Sequence, residues 1–151
     1  MELKEKVAIV TGGASGLGEA CARRFALQGA NIGILDVDEG KGGRLAAELG
    51  AQAIYCRTDV TSEQSVQAAV DRTVEEFGGI HVVINCAGVG TAAKVLGKNG
   101  PMALEHFNRV VQINLVGTLN VIRLAAAKIT ANTPNPDGEK GVVINTASAA
   151  A

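Results

Sequence analysis

Thr11-Gly12-Gly13-Ala14-Ser15-Gly16-Leu17-Gly18 is the stretch of this chain whose composition and spacing are best suited to chemistry. It follows a short apolar run, Val7-Ala8-Ile9-Val10, and precedes a helical pattern with Cys21, Ala22, Phe25 and Ala26 on one face. Glycines at 12, 16 and 18 let the backbone turn tightly and approach a pyrophosphate with no Cβ in the way. The helix N-terminus behind them offers free N–H groups and a partial positive charge to phosphates. The spacing is G-x-x-x-G-x-G, not the commoner G-x-G-x-x-G, and no Gly-Lys-Ser/Thr follows as a P-loop requires. A plain strand–helix turn also uses glycine; the position after the first strand is what favours a dinucleotide.

Further candidates stand where other strands are expected to end. Asp36 closes the second apolar run and can accept hydrogen bonds from an adenosine ribose. It would repel a 2′-phosphate by roughly 1–4 kcal/mol, depending on the local dielectric. Val37 and Asp38 follow with no adjacent Arg or Lys, so NAD is favoured over NADP. Asp59-Val60 and Asn85-Cys86-Ala87-Gly88 follow the third and fourth runs. Asp59 fits adenine contact and helix-dipole stabilisation equally well. The small residues at 87 and 88 fit a cofactor against the backbone or a tight turn. Asn114 falls within an apolar stripe of Phe107, Val110, Val111, Thr118, Val121 and Ile122. A buried amide there must be satisfied, as a structural asparagine or in an ordered water relay. Ser148 follows the fifth run, where a hydroxyl can hold a substrate carbonyl or simply belong to a loop. His81 and His106 have no partners at ligand or triad spacing and read as structural.

The elements that must position these residues alternate. Strands are expected at 7–10, 31–35, 53–56, 80–84 and 142–144. Helices are expected after Ser15, from Asp38 towards Leu49, from a capping box at Thr61 and Gln64, and from about Met102 to about Thr130. Regular alternation implies an α/β fold with a parallel sheet and right-handed crossovers. The expected architecture is a Rossmann-type doubly wound sheet, strand order 3-2-1-4-5, with the ligand crevice between strands 1 and 4. Residues 1–151 read as one domain.

Composition agrees. Apolar residues make up 47% of the 151 positions and 19 glycines come on top, above the ~45–50% usual for that set. Strands buried on both faces produce this bias. A net charge of −1 gives no reason to expect nucleic acid or an anionic membrane as partner. Cys21, Cys56 and Cys86 form no C-x-x-C pair, so neither a metal site nor a disulfide framework is expected. With no h-region or transmembrane stretch visible, a soluble protein of the cytoplasm is the expectation.

Taken together, the motifs resemble the short-chain dehydrogenase/reductase family. The family's cofactor loop matches Thr11 to Gly18, its Asp-Val matches Asp59-Val60, and its Asn-Asn-Ala-Gly matches Asn85 to Gly88 with Cys86 in place of the second asparagine. Its helical asparagine matches Asn114 and its serine matches Ser148, which the resemblance makes supporting catalytic residues. A narrower likeness, in residues 85–88, 120–124 and 141–148, is to the type II 3-hydroxyacyl-CoA dehydrogenase subgroup. That subgroup implies contacts to NAD from Ser15, Leu17, Asp36, Asp59, Val60 and Cys86. It also implies an acyl-CoA or related secondary alcohol or ketone as the small-molecule substrate, and a homotetramer at full length. The family's acid/base pair, Tyr-x-x-x-Lys, belongs after the serine and is absent from these residues. The one tyrosine, Tyr55, has Asp59 four residues on and cannot substitute. The carboxyl-terminal strands and the acid/base pair are therefore expected beyond Ala151, and these residues alone are expected to be inactive.

Overall fold

A computed structural model describes residues 1–91 and 93–148. The apolar runs form β1 (Val7–Thr11), β2 (Asn31–Asp36), β3 (Ala53–Arg57) and β4 (Val82–Asn85). Leu96–Gly97 (β5) and Gly100–Pro101 (β6) make a small antiparallel hairpin that the sequence reading lacks, and β7 is Val142–Asn145. The main sheet is parallel throughout, in the order β3-β2-β1-β4-β7. With β7 as its fifth strand, this is the expected 3-2-1-4-5 order of a Rossmann-type sheet.

Period-two alternation divides the core between the two sheet faces. Ala8, Val10, Ile32, Ile34, Val82 and Ile84 face α1 (Gly16–Leu27) and α2 (Glu39–Leu49). Ile9, Leu35, Val83 and Cys56 face α3 (Glu63–Phe77) and α5 (Thr118–Ile129). Each fully buried aliphatic side chain contributes roughly 1.5–3 kcal/mol relative to exposure, so the centre of the sheet is the firmest part of the molecule. That firmness holds the strand ends, and the loops that leave them, in register.

Three local expectations are corrected. The start of α3 lies one residue beyond the expected Thr61–Gln64 box. Ser62 is the N-cap and its Oγ accepts from Ser65 N at 3.2 Å. Thr61 is not available because its N–H and hydroxyl both donate to Asp59 Oδ1, at 2.9 and 2.7 Å. Secondly, the long helix is α4 (Leu104–Val111), a π-helical segment at Gln112–Gly117, then α5. Its stripe is buried only at the carboxyl end, through Gly117, Asn120, Val121, Ala125 and Ile129. No residue of α4 is buried, and Phe107 is 54% exposed. The reason is placement: α5 packs on α3 and β4, whereas α4 packs chiefly against the next turn of its own helix. Thirdly, the 26-residue stretch Leu104–Ile129 contains an 18-residue window of mean hydropathy 1.5. By length and composition alone it is an apolar stretch able to cross a membrane, contrary to the sequence reading. In this fold Val121, Ala125 and Ile129 belong to the core.

Candidate active site

The loops at the carboxyl ends of β1, β2, β3 and β4 enclose a cavity of about 750 Å³, within the range of small-molecule and cofactor sites. Its first wall is the glycine loop. Gly12 has φ of +60°, and a Cβ there would lie 2.9 Å from Ala87 N. A Cβ on Gly18 would strike the Gly12 carbonyl. These glycines are therefore demanded by close approach of one backbone to another, not merely by a turn. Ser15 is the N-cap of α1 yet makes no side-chain capping bond, which leaves the first-turn N–H groups for another acceptor.

Asp36 anchors that loop to the end of β2. Its Oδ2 accepts from Ala14 N and its Oδ1 from Asp38 N, each at 3.0 Å. An ionised carboxylate has about four acceptor positions, so Asp36 keeps capacity for a ribose hydroxyl. Tyr55 packs beside it, its hydroxyl donating to the Asp36 carbonyl at 2.9 Å. Burial, and then the charge of Asp36, push the Tyr55 pKa up. That shift opposes formation of a phenolate, in keeping with a purely structural tyrosine.

The third wall is Thr58 to Thr61. Asp59 both lines the cavity and receives the two bonds from Thr61 that shape the entry to α3. Helix α5 reaches over to hold this wall. The buried Asn120 donates to Val60 O at 2.9 Å, and Arg123 links Asn120 Oδ1 to the Glu63 carboxylate. Gly117 lets the helix approach the Val60 side chain, which an added Cβ would meet at 2.6 Å. At the fourth wall the buried Thr11 Oγ1 accepts from both Cys86 N and Ala87 N, at 3.2 and 3.1 Å. It donates in turn to Asn85 Oδ1 at 3.4 Å.

The lining thus includes Gly12, Ser15, Gly16, Leu17, Gly18, Asp36, Asp59, Val60, Cys86, Ala87 and Gly88. Asn85 is the exception among the expected cofactor residues. It is 4% exposed and lies behind the wall, its Nδ2 donating to Asn145 Oδ1 at 2.9 Å. Its amide is spent within the sheet, accepting from Thr11 Oγ1 of β1 and donating to Asn145 of β7, the strands on either side of β4. Asn114 and Ser148 also lie outside the lining. Asn114 is exposed rather than buried, and its amide is satisfied as a structural asparagine would be. Oδ1 accepts from Val89 N and Nδ2 donates to Val89 O, both at 2.9 Å. Its carbonyl, inside the π segment, accepts from Thr118 Oγ1 at 2.7 Å. Ser148 is exposed just after β7. Of the histidines, His81 accepts at Nδ1 from Val7 N at 3.2 Å, a structural bond that pins β1 to the start of β4.

Sequence reasoning missed Arg109, Gln112 and Ile113, which the helix brings to the lining, and Asn120, which supports it from behind. The apolar neighbours of Asn120 in the sequence were a usable signal, because a lone amide on a core-facing stripe needs a partner. Nothing in the local sequence marks Arg109.

Comparison with known proteins extends this picture. Residues 6–151 match the short chain dehydrogenase family. The 3-hydroxyacyl-CoA dehydrogenase type-2 of Drosophila melanogaster is 49% identical, over 99% of this chain and 59% of that protein. The Homo sapiens protein of the same name is 46% identical, over 99% of this chain and 58% of its own length. Among solved structures, 3-hydroxyacyl-CoA dehydrogenase type-2 from Mycobacterium avium superposes with a TM-score of 0.91 at 38% identity, covering 98% of this chain and 59% of that one. A 3-ketoacyl-(acyl-carrier-protein) reductase from Brucella melitensis, complexed with NADH, gives 0.87 at 34% identity, covering 97% and 58%. The chain spans less than three-fifths of the length of these relatives. Its order of strands, its glycine loop and its matched residues agree with one another, and the chain belongs to the short chain dehydrogenase family.

Proposed function

We infer that this chain is the dinucleotide-binding part of an oxidoreductase that transfers hydride between NAD and a 3-hydroxyacyl-CoA. The observation that carries the reading is the cavity itself. A glycine loop with no room for a Cβ, an uncapped helix N-terminus, an acid at the end of β2 and small residues after β4 line one space. In this reading Gly12, Ser15, Gly16, Leu17 and Gly18 cradle the pyrophosphate, and Asp36 accepts from the adenosine ribose. Asp59 and Val60 flank the adenine, and Cys86, Ala87 and Gly88 border the nicotinamide half. NAD supplies the hydride acceptor, and NADH the donor, for the reaction.

The protein's own residues divide the remaining work. Ser148 holds the substrate carbonyl or hydroxyl, and Asn114 fixes the loop at Val89 that continues the cavity wall. Tyr55 moves no proton, because its hydroxyl is committed to the Asp36 carbonyl. A general acid/base, worth roughly 10²–10⁴-fold, has to come from residues outside these 151. Asp36 supports NAD over NADP by charge repulsion. The 3-hydroxyacyl-CoA assignment rests on the 46–49% identity to proteins of that name, against 34% to the carrier-protein reductase. A soluble cytoplasmic homotetramer at full length is proposed on composition and family likeness.

The test is NADH-dependent reduction of acetoacetyl-CoA, followed by loss of NADH absorbance. It compares residues 1–151 with a protein carrying further chain in the manner of the relatives. Turnover is expected only in the longer protein, with NADH binding in both. A second reading, a dinucleotide-binding module without catalysis, is favoured by the absence of Tyr-x-x-x-Lys from these residues. It would be sustained by NADH binding with no turnover in either form. Binding of neither NADH nor NADPH would contradict both.

A further inference from the structure

Among the described residues Arg109 is the one cation in the lining of the cavity. It makes no salt bridge and no side-chain hydrogen bond with any of them, although a guanidinium is rich in donors. Contacts further along the helix put it there. Asn120 donates to Val60 O, Gly117 lies against the Val60 side chain, and Ile113 packs on the core cluster that contains Val60. Arg109, Ile113 and Gly117 recur at i, i+4 spacing, so the side of the helix that meets Val60 continues outward to Arg109. The two walls of the cavity come from opposite faces of the sheet. Gly12 to Gly18 lead into α1, which packs on one face, whereas Asp59 to Thr61 lead into α3, which packs beside α5 on the other. Arg109 therefore enters on the side of Asp59, not on the side of the glycine loop.

We propose that Arg109 is a base-recognition residue, its guanidinium donating to adenine N1 while Asp59 accepts from the neighbouring 6-amino group. The assignment rests on the NAD reading above. Its chemical ground is complementarity. An ionised Asp59 only accepts and Arg109 only donates. The Thr61 donors both fall on Asp59 Oδ1, and Oδ2 has no protein donor among the described residues. The N1–C6 edge of adenine offers the matching pair, a ring acceptor beside an amino donor.

The placement of the rest of the dinucleotide favours this edge over a phosphate as the partner of Arg109. In that reading the diphosphate lies on the glycine loop and the ribose on Asp36, both away from α4. The N1–C6 edge is the part of adenine farthest from its sugar, so it is the part left to reach the wall shared by Asp59 and Arg109. Hypoxanthine reverses both positions, with an acceptor oxygen at C6 and a hydrogen on N1. In the same pose its oxygen would oppose the Asp59 carboxylate and its N–H would oppose the guanidinium, leaving both unpaired.

The test titrates the purified protein and Arg109→Met with NADH and with reduced nicotinamide hypoxanthine dinucleotide. Methionine matches arginine in helix propensity and α4 buries no residue, so the two proteins should melt alike. The parent should prefer NADH by about tenfold or more. Arg109→Met should lose about tenfold in NADH affinity and change little towards the hypoxanthine dinucleotide, so that the preference shrinks. An equal loss for both dinucleotides would move Arg109 to a phosphate or sugar and overturn the base contact. A parent indifferent to the base, or an NADH affinity unaltered by the substitution, overturns it as well. If the folded parent binds neither dinucleotide, the cofactor reading itself fails and the base assignment falls with it.

Discussion

The two ends of the sheet's β1–β4–β7 run are built differently. Every residue of β1 and of β4 is buried, and both strands are covered by helices or neighbouring strands. In β7 only Val143 is even partly buried, and α4 buries nothing. The cavity side is thus held by a closed core, with its loops tied together by Thr11, Asp36 and Asn120. The β7 side, where Ser148 stands, is joined to that core mainly by ladder bonds and the Asn85–Asn145 pair. On the proposed reading, the walls assigned to the dinucleotide rest on that core, and the strand that leads to Ser148 lies largely outside it.

Core substitutions should separate the two ends most sharply. Ile9→Ala, at a fully buried position, should lower unfolding free energy by about 2–5 kcal/mol. Ile144→Ala, 46% exposed, should cost under about 1 kcal/mol, and denaturant melts of the two variants check the contrast. Gly18→Ala comes next. Its Cβ meets the Gly12 carbonyl, so stability should fall by about 1–3 kcal/mol and NADH binding by well over tenfold in a direct titration. Asn120→Leu leaves the Val60 carbonyl unsatisfied. A loss of about 1–3 kcal/mol is expected, with a weaker NADH affinity that shows α5 supporting the adenine side.

Asp36→Asn probes specificity more than stability. Removing the charge should cut the preference for NADH over NADPH by roughly tenfold, or about 1.4 kcal/mol, measured as the ratio of dissociation constants. The smallest effect concerns pH. Burial, and then Lys6, depress the His81 pKa below its ordinary 6.5, so the native state favours the neutral ring that accepts from Val7 N. The unfolded chain takes up the proton first, so this contribution is complete above pH 6.5 and declines as the pH falls below it. Thermal melts across that range should slope less in His81→Gln.

Much of this was legible in the sequence, for identifiable reasons. Strand order and the glycine loop are encoded locally, because parallel strands read as apolar runs and Gly12 and Gly18 are required by backbone contact. Asp36, Asp59 and Cys86 could be placed because the ends of such strands are where ligands bind. What escaped depends on contacts between distant segments. Asn85 had the right spacing, but its side chain is directed to β7, a partner 60 residues away. The start of α3 moved to Ser62 because Asp59 takes both donors of Thr61. The exposure of Phe107 depends on how far the helix runs past the sheet, which its apolar spacing does not reveal. Arg109 reaches the cavity for the same reason, and nothing next to it in the chain marks that.

The most direct test of the central claim is calorimetric titration of residues 1–151 with NADH and, separately, with NADPH. The account predicts saturable binding of NADH, weakening of NADPH by about tenfold or more, and loss of both in Gly18→Ala. Absence of NADH binding to a folded protein, or tighter binding of NADPH, would contradict it.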